Sequence, residues 1–223
     1  MLDTQQREIT AKHQMKAELI LGQESILERR TSVGRYDNQQ TLTSEMVSEL
    51  VRLASLSPSA FNMQNWQFVA VHSSSAKQKL YPLAFNQPQV LDAAVTYIVC
   101  GKTMAYQTLA EDLQASVDAN IINKEVQQTW VEMATQSHEN DAQVRRDEAV
   151  RSASLAAMSL MVAAQEKGLA SGAMGGFDAD AVKMAFDLDE DSIPVILLTV
   201  GYPAQGNWPQ KKRKPVSHIM RLV

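Results

Sequence analysis

Apolar residues recur at helical spacing between 141 and 167, at Val144, Val150, Ala153, Ala157, Leu160, Met161 and Ala164, and Gly168 follows as a stop. This is the clearest helix in the chain. Ser152, Ala153, Ser154, Ala156, Ala157 and Ser159 would let another helix approach it closely, and ordinary core packing accounts for them nearly as well. A second helix, capped by Thr43 or Ser44, turns Met46, Val47, Leu50, Val51 and Ala54 inward and ends before Pro58. Residues 4–28 read as a further helix, only loosely periodic at Ile9, His13, Lys16, Ile20 and Leu27, with Gly22 as a break and a partner's surface as its possible seat.

Shorter apolar runs read as strands at 66–71, 94–100 and 193–200; the second contains Val95-Thr96-Tyr97-Ile98-Val99, β-branched and aromatic. Helices are expected at 75–83, twice within 103–137, and from a cap at Asp178 to Phe186. Helices outnumber strands, yet three apolar strands require a sheet, so the class is α+β, with helices packed about a small sheet. Residues 201–223 carry Pro203, Gly206, Pro209 and Pro215 and are expected to form an extended arm. Such an arm suits wrapping a neighbour in a dimer with exchanged termini.

Composition narrows the class. The 223 residues show no linker or charge run that divides them, so one domain is expected. With 45% hydrophobic and 21% charged residues the chain fits a globular protein, and a net charge of -4 argues against non-specific nucleic-acid binding. No apolar run is long enough to span a bilayer and the first residues lack a signal-peptide pattern, so a cytoplasmic location without membrane attachment is expected. Cys100, the single cysteine, ends an apolar strand and reads as a buried, inert thiol.

The candidate chemistry centres on Pro58-Ser59-Ala60-Phe61-Asn62-Met63-Gln64-Asn65-Trp66, a run of turn formers and amides between a helix and a strand. The amides of Asn62 and Gln64 each offer a donor and an acceptor, which suits a polar ring with mixed N–H and C=O edges; ordinary turn chemistry also explains the composition. Two basic runs stand out in an acidic chain, Arg29-Arg30-Thr31-Ser32 and Lys211-Lys212-Arg213-Lys214. Singly each reads as a solvated surface run; together they would suit a phosphate. Gly172-Ala173-Met174-Gly175-Gly176 lacks the Rossmann spacing and reads as a connecting loop between helices, or as exposed backbone over which a flat ligand could lie. His13, His72, His138 and His218 are scattered, and no metal or hydrolase pattern emerges.

The order of these pieces resembles the FMN-dependent nitroreductase family: Arg30-Thr31-Ser32, then Pro58-Ser59-x-x-Asn62-x-Gln64-x-Trp66, Gly168-Leu169 leading to Gly175-Gly176-Phe177-Asp178, Pro194 opening a strand that ends Gly201-Tyr202-Pro203, and Lys211-x-Arg213-x-Pro215. Residues 25–223 would then form one FMN-binding domain and residues 1–24 an N-terminal helical extension. The resemblance implies a nitroreductase-like α+β fold with a small central mixed sheet flanked by helices, in a domain-exchanged homodimer with an extended C-terminal arm. Two FMN molecules would lie at the subunit interface, with NAD(P)H as electron donor and a small-molecule acceptor. On this resemblance Arg30, Ser32, Lys211 and Arg213 hold the phosphate, with Thr31 adjacent. Pro58, Ser59 and Ala60 cover the flavin from the partner chain, with Asn62 and Gln64 as polar fixers. Asn86 faces the isoalloxazine edge, and Met174, Gly175 and Gly176 line the ring near N5.

Departures from the family pattern touch the same site. Gly34 and Gln89 stand where the family frequently has cations, so flavin reduction is expected to be harder unless Arg35 substitutes. Asn65 and Ala173 replace common prolines, and Gly175 replaces a frequent glutamate. The implied activity is a ping-pong oxidoreductase passing electrons to nitroaromatics or quinones, with no side chain as nucleophile. An FMN-binding protein without turnover, and alkene reduction or dehalogenation on the same fold, are the alternatives.

Overall fold

The computed structural model describes residues 24–223, so the expected helix at 4–28 lies almost wholly outside the described residues. Its described end is α1 (Ile26–Arg29), begun afresh by a capping box in which Ser25 and Glu28 bond each other's backbone N–H. The chain continues through α2 (Ser44–Ala54), a 3₁₀ turn (Ala60–Asn62), β1 (Trp66–Val71), α3 (Ser74–Leu83), α4 (Gln89–Asp92) and β2 (Val95–Lys102). Then come a 3₁₀ turn (Ala105–Gln107), α5 (Leu109–Asp118), α6 (Lys124–His138), α7 (Ala142–Glu166), β3 (Ala170–Met174), α8 (Ala179–Ala185), β4 (Ser192–Gly201) and a 3₁₀ turn (Val216–His218).

Local chemistry sets most boundaries. Thr43 accepts from Met46 N–H and starts α2; Asp141 accepts from Gln143 and Val144 and starts α7; Asp178 accepts from Ala181 and starts α8. Gly168, at φ 73°, ends α7 in the left-handed conformation that costs other residues most.

The sheet has order β1-β2-β4-β3, and every pairing between named strands is antiparallel. Two expectations are corrected here. The sheet has four strands rather than three, because residues 170–174 are not part of a connecting loop between helices but an edge strand in register with β4. The expected mixed character is reduced to one parallel bridge, Ser32 with Ser171.

Helices cover both faces. Tyr97, Val99, Leu198 and Val200 turn to one side with Val47, Leu50 and Ala54 of α2 and Ala153, Ala157 and Leu160 of α7. Ile98, Cys100 and Leu197 turn to the other with Leu80 of α3 and Val182 of α8. The strand alternation of period two thus feeds two cores, which is why β2 reads as a continuous apolar run. Each fully buried Leu or Val adds about 1.5–3 kcal/mol relative to exposure. A third cluster joins Leu109 and Leu113 of α5 and Ala134 of α6 to Met63 in the loop before β1. Among the described residues no helix is long and apolar enough to cross a membrane.

Candidate functional site

The segment from Arg30 to Tyr36 is strapped along the β3 edge. Val33 N–H donates to the Ser171 carbonyl at 3.0 Å, and Asp37 N–H to Tyr202 at 2.9 Å. The strap passes so close to β3 that a Cβ at Gly172 would stand 2.2 Å from the Val33 carbonyl oxygen, so only glycine fits there. Beneath it the Tyr36 hydroxyl lies 2.9 Å from Thr199 Oγ1 and 3.1 Å from the Thr199 carbonyl. Burial pushes the Tyr36 phenol well above its ordinary value, more than the Thr199 bond lowers it, so it stays a protonated donor.

The C-terminal arm returns to this strap. Asn207 Oδ1 accepts from the N–H groups of Gly34 and Arg35, both at 3.0 Å, and its Nδ2 donates to the Arg35 carbonyl at 2.8 Å. Gln210 Nε2 reaches the Arg30 carbonyl at 3.4 Å and accepts through Oε1 from Arg213 at 3.2 Å. Lys211 Nζ lies 4.9 Å from the centre of the exposed Trp208 ring. The two basic runs, at opposite ends of the sequence, are therefore neighbours. Arg30 Nε is buried and has no hydrogen-bond partner among the described residues. Ser32 and Gly34 line a small cavity of about 260 Å³ with Arg35, Asn207 and Trp208, and Thr31 sits half-buried between Arg30 and Ser32.

From the strap β3 runs on to a glycine pair. Met174 is buried, whereas Gly175 and Gly176 are exposed, and a Cβ at Gly175 would meet nothing within 4 Å. Gly176 is pinned by Gln87, whose Nε2 donates to its carbonyl at 2.7 Å. Phe85 and the exposed Asn86, both left-handed at φ 53° and 55°, make the turn that places Gln87. Gln89 follows, with its Oε1 3.6 Å from where a Cβ would stand on Gly34, so the two positions lacking cations face each other. Arg30, Thr31, Ser32, Gly34, Asn86, Gln89, Met174, Gly175, Gly176, Lys211 and Arg213 thus share one region beside β3.

Pro58, Ser59, Ala60, Asn62 and Gln64 do not join them. Their loop enters β1 at Trp66, which pairs with Gly101 and, beyond it, Ile193 at the start of β4; Ser32 bridges Ser171, near the Ala170–Gly201 pair at the other end of β4. The loop and the basic segment occupy diagonally opposite corners of the sheet, on β1 and beyond β3, two strands that are themselves three strand spacings, about 14 Å, apart. Within the loop Ser59 Oγ accepts from Gln64 N–H at 2.9 Å, and Phe61, Asn62 and Gln64 all have positive φ, 53°, 57° and 48°. Non-glycine residues in that region cost energy, and such strain concentrates where a loop must present particular groups.

Residues 27–202 match the model of the Nitroreductase family. The chain is 34% identical to Bacillus subtilis (strain 168) "Putative NAD(P)H nitroreductase YodC" over 87% of its own length and 95% of that protein's. The chain belongs to the nitroreductase family. A Bacillus subtilis crystal structure described as a "putative nitroreductase", ydfN, superposes with TM-score 0.84 at 31% identity, covering 93% of this chain and all of that one. A second, described as "a putative nitroreductase in complex with FMN" from Exiguobacterium sibiricum 255-15, superposes with TM-score 0.83 at 29% identity, covering 89% of this chain and 95% of that one.

The chain also contains neighbours of this region that sequence patterns did not single out. Asn207 and Gln87 each fix a neighbouring backbone by side-chain amide bonds. The Gly206-Asn207 dipeptide, with Gly206 at φ 86°, was a turn signal for the first; nothing local marked the second. Cys100 is fully buried in β2 between β1 and β4, and burial pushes its thiol up to about 12. Among the described residues no cluster of His, Cys, Asp or Glu could hold a metal ion.

Proposed function

We propose that this chain is an FMN-dependent oxidoreductase that takes hydride from NAD(P)H and passes electrons to a nitroaromatic, quinone or similar acceptor in a ping-pong sequence. Family membership carries the reaction class. The observation that carries the cofactor assignment is that Arg30, linked through Gln210 to Arg213, lies beside the start of β3, whose far end leads into exposed glycine backbone. The residues fit the group: Arg30 Nε is a buried donor without a partner among the described residues, and Gly175 leaves its flank open. Arg30, Ser32, Lys211 and Arg213 would hold the phosphate through charge-assisted bonds. Gly175 and Gly176 would offer backbone N–H groups to a ring, with Met174 beneath and Asn86 at its edge. When bound, FMN supplies the hydride-accepting and hydride-donating chemistry that no side chain here provides.

The reading includes a homodimer with exchanged termini. Pro58, Ser59 and Ala60 of one copy would cover the ring held by the other, with Asn62 and Gln64 fixing its polar edge. The diagonal placement of the two regions supports this, because a two-fold operator can bring one corner of each copy to the opposite corner of its partner. Exposed Ile219, Met220, Leu222 and Val223 on the arm, and an apolar groove of Leu27, Leu53, Leu155, Met158 and Val162 beside Pro58, supply surfaces for such contacts. Residues 25–223 would be one cofactor-binding domain and residues 1–24 an addition to it.

The purified protein is expected to show flavin absorbance that anaerobic NADH or NADPH bleaches. Varied donor and quinone should then give parallel reciprocal plots; intersecting plots would overturn the shared-face exchange. One observation favours a second reading, FMN binding without turnover: Gly34 faces Gln89 and not a cation. A flavin that binds but stays oxidised with both nucleotides would establish it.

A further inference from the structure

Phe85 is held against two unfavourable terms at once. Its ring is 63% exposed, although Ala84 beside it is fully buried and Tyr81 and Leu83, on the same turn, pack against the second core. Its backbone is left-handed at φ 53°, where a bulky residue is strained and glycine or asparagine is not; Asn86 continues the turn at φ 55°. The turn by itself does not call for an aromatic ring. Strain of the backbone and hydration of the ring both oppose the placement, and a task for the ring outside the fold accounts for it.

A second observation gives the ring its place. Two bonds, one on each side of Phe85 in the chain, tie the turn to the segment after β3: Asp178 N–H donates to the Leu83 carbonyl at 2.9 Å, and Gln87 Nε2 donates to the Gly176 carbonyl at 2.7 Å. A Cβ on Gly176 would stand 3.9 Å from Phe85 Cδ2, so the ring flanks the glycine backbone at van der Waals range. A Cβ on Gly175 would meet nothing within 4 Å, which leaves open space beside the ring. We propose that Phe85 is the aromatic wall of the acceptor pocket, packing its ring against a planar aromatic acceptor over the glycine pair and selecting it over a saturated molecule of the same size. A saturated ring gains only the burial of its area, whereas an aromatic one adds the ring-on-ring term. This inference rests on the reading that places the flavin over Gly175 and Gly176.

The test titrates the FMN-loaded protein with methyl benzoate, a flat ester that reduced flavin leaves intact, and with methyl cyclohexanecarboxylate, its saturated counterpart, reading the flavin difference absorbance. Methyl benzoate should bind the more tightly. Phe85→Leu should weaken methyl benzoate about fivefold and leave the saturated ester nearly unchanged, and Phe85→Tyr should restore the aromatic affinity. FMN affinity by fluorescence titration should stay within about twofold of the parent in both variants, and size exclusion should show the same mass. Methyl benzoate affinity undiminished in Phe85→Leu, equal weakening of both esters, no flavin perturbation by methyl benzoate, lost FMN affinity or a changed mass each overturns the assignment of Phe85 and leaves the flavin reading standing. A parent protein that retains no FMN overturns both.

Discussion

The amide loop before β1 and the basic strap beside β3 sit at opposite corners of one sheet, and they are held by opposite means. The loop is local: Ser59 fixes Gln64 within the same turn, and Phe61, Asn62 and Gln64 adopt left-handed backbone without being glycine. The strap is non-local, tied by Val33 to Ser171, by Asn207 to Gly34 and Arg35, and by Gln210 to Arg30. A local device can afford strain because neighbouring covalent bonds enforce it. A non-local device needs close approach, which β3 permits by having no side chain at Gly172. Glycine should therefore have opposite effects at the two corners.

The largest expected effect is at the strap. Gly172→Ala places a methyl 2.2 Å from the Val33 carbonyl and should destabilise the fold by about 3 kcal/mol, visible in urea denaturation; an unchanged midpoint would break the account of the strap. Next come Arg30→Ala and Arg213→Ala, each expected to weaken FMN retention by about 1.5–3 kcal/mol while the protein stays folded, read by flavin fluorescence titration. Unchanged affinity in both variants would remove the phosphate assignment from this corner. At the other corner Gln64→Gly should raise stability by about 1 kcal/mol by relieving its left-handed backbone, and loosen FMN as a polar fixer is lost. A loss of stability there would erase the contrast between the corners. The smallest change is Gly34→Lys, which has ordinary contact distance to Gln89 and should raise the flavin midpoint potential in a potentiometric titration.

The helices α2, α3 and α5 to α8, and three of the strands, were legible because their patterns are local. Val47, Leu50 and Ala54 recur at helical spacing and are buried, Thr43 caps α2, and Trp66–Val71 is a strand with the expected limits. β3 was not legible: Ala-Ser-Gly-Ala-Met has neither β-branched residues nor alternation, and its strand character comes from β4 on one side and the strap on the other. The motifs before and after it read correctly as resembling nitroreductases, yet their sorting into two separated groups depended on strand order.

By itself the sequence determined the α+β class, the caps and amphipathic faces, the family and the residue types available to bind a phosphate and a polar ring, since each rests on spacing within a few turns or on motif order. The tertiary structure alone decided that Asn207 anchors the strap, that Gly34 faces Gln89, and that the amide loop stands diagonally across the sheet from the basic cluster. Those relations join residues far apart in the chain, and only strand pairing and packing over two cores set their distances.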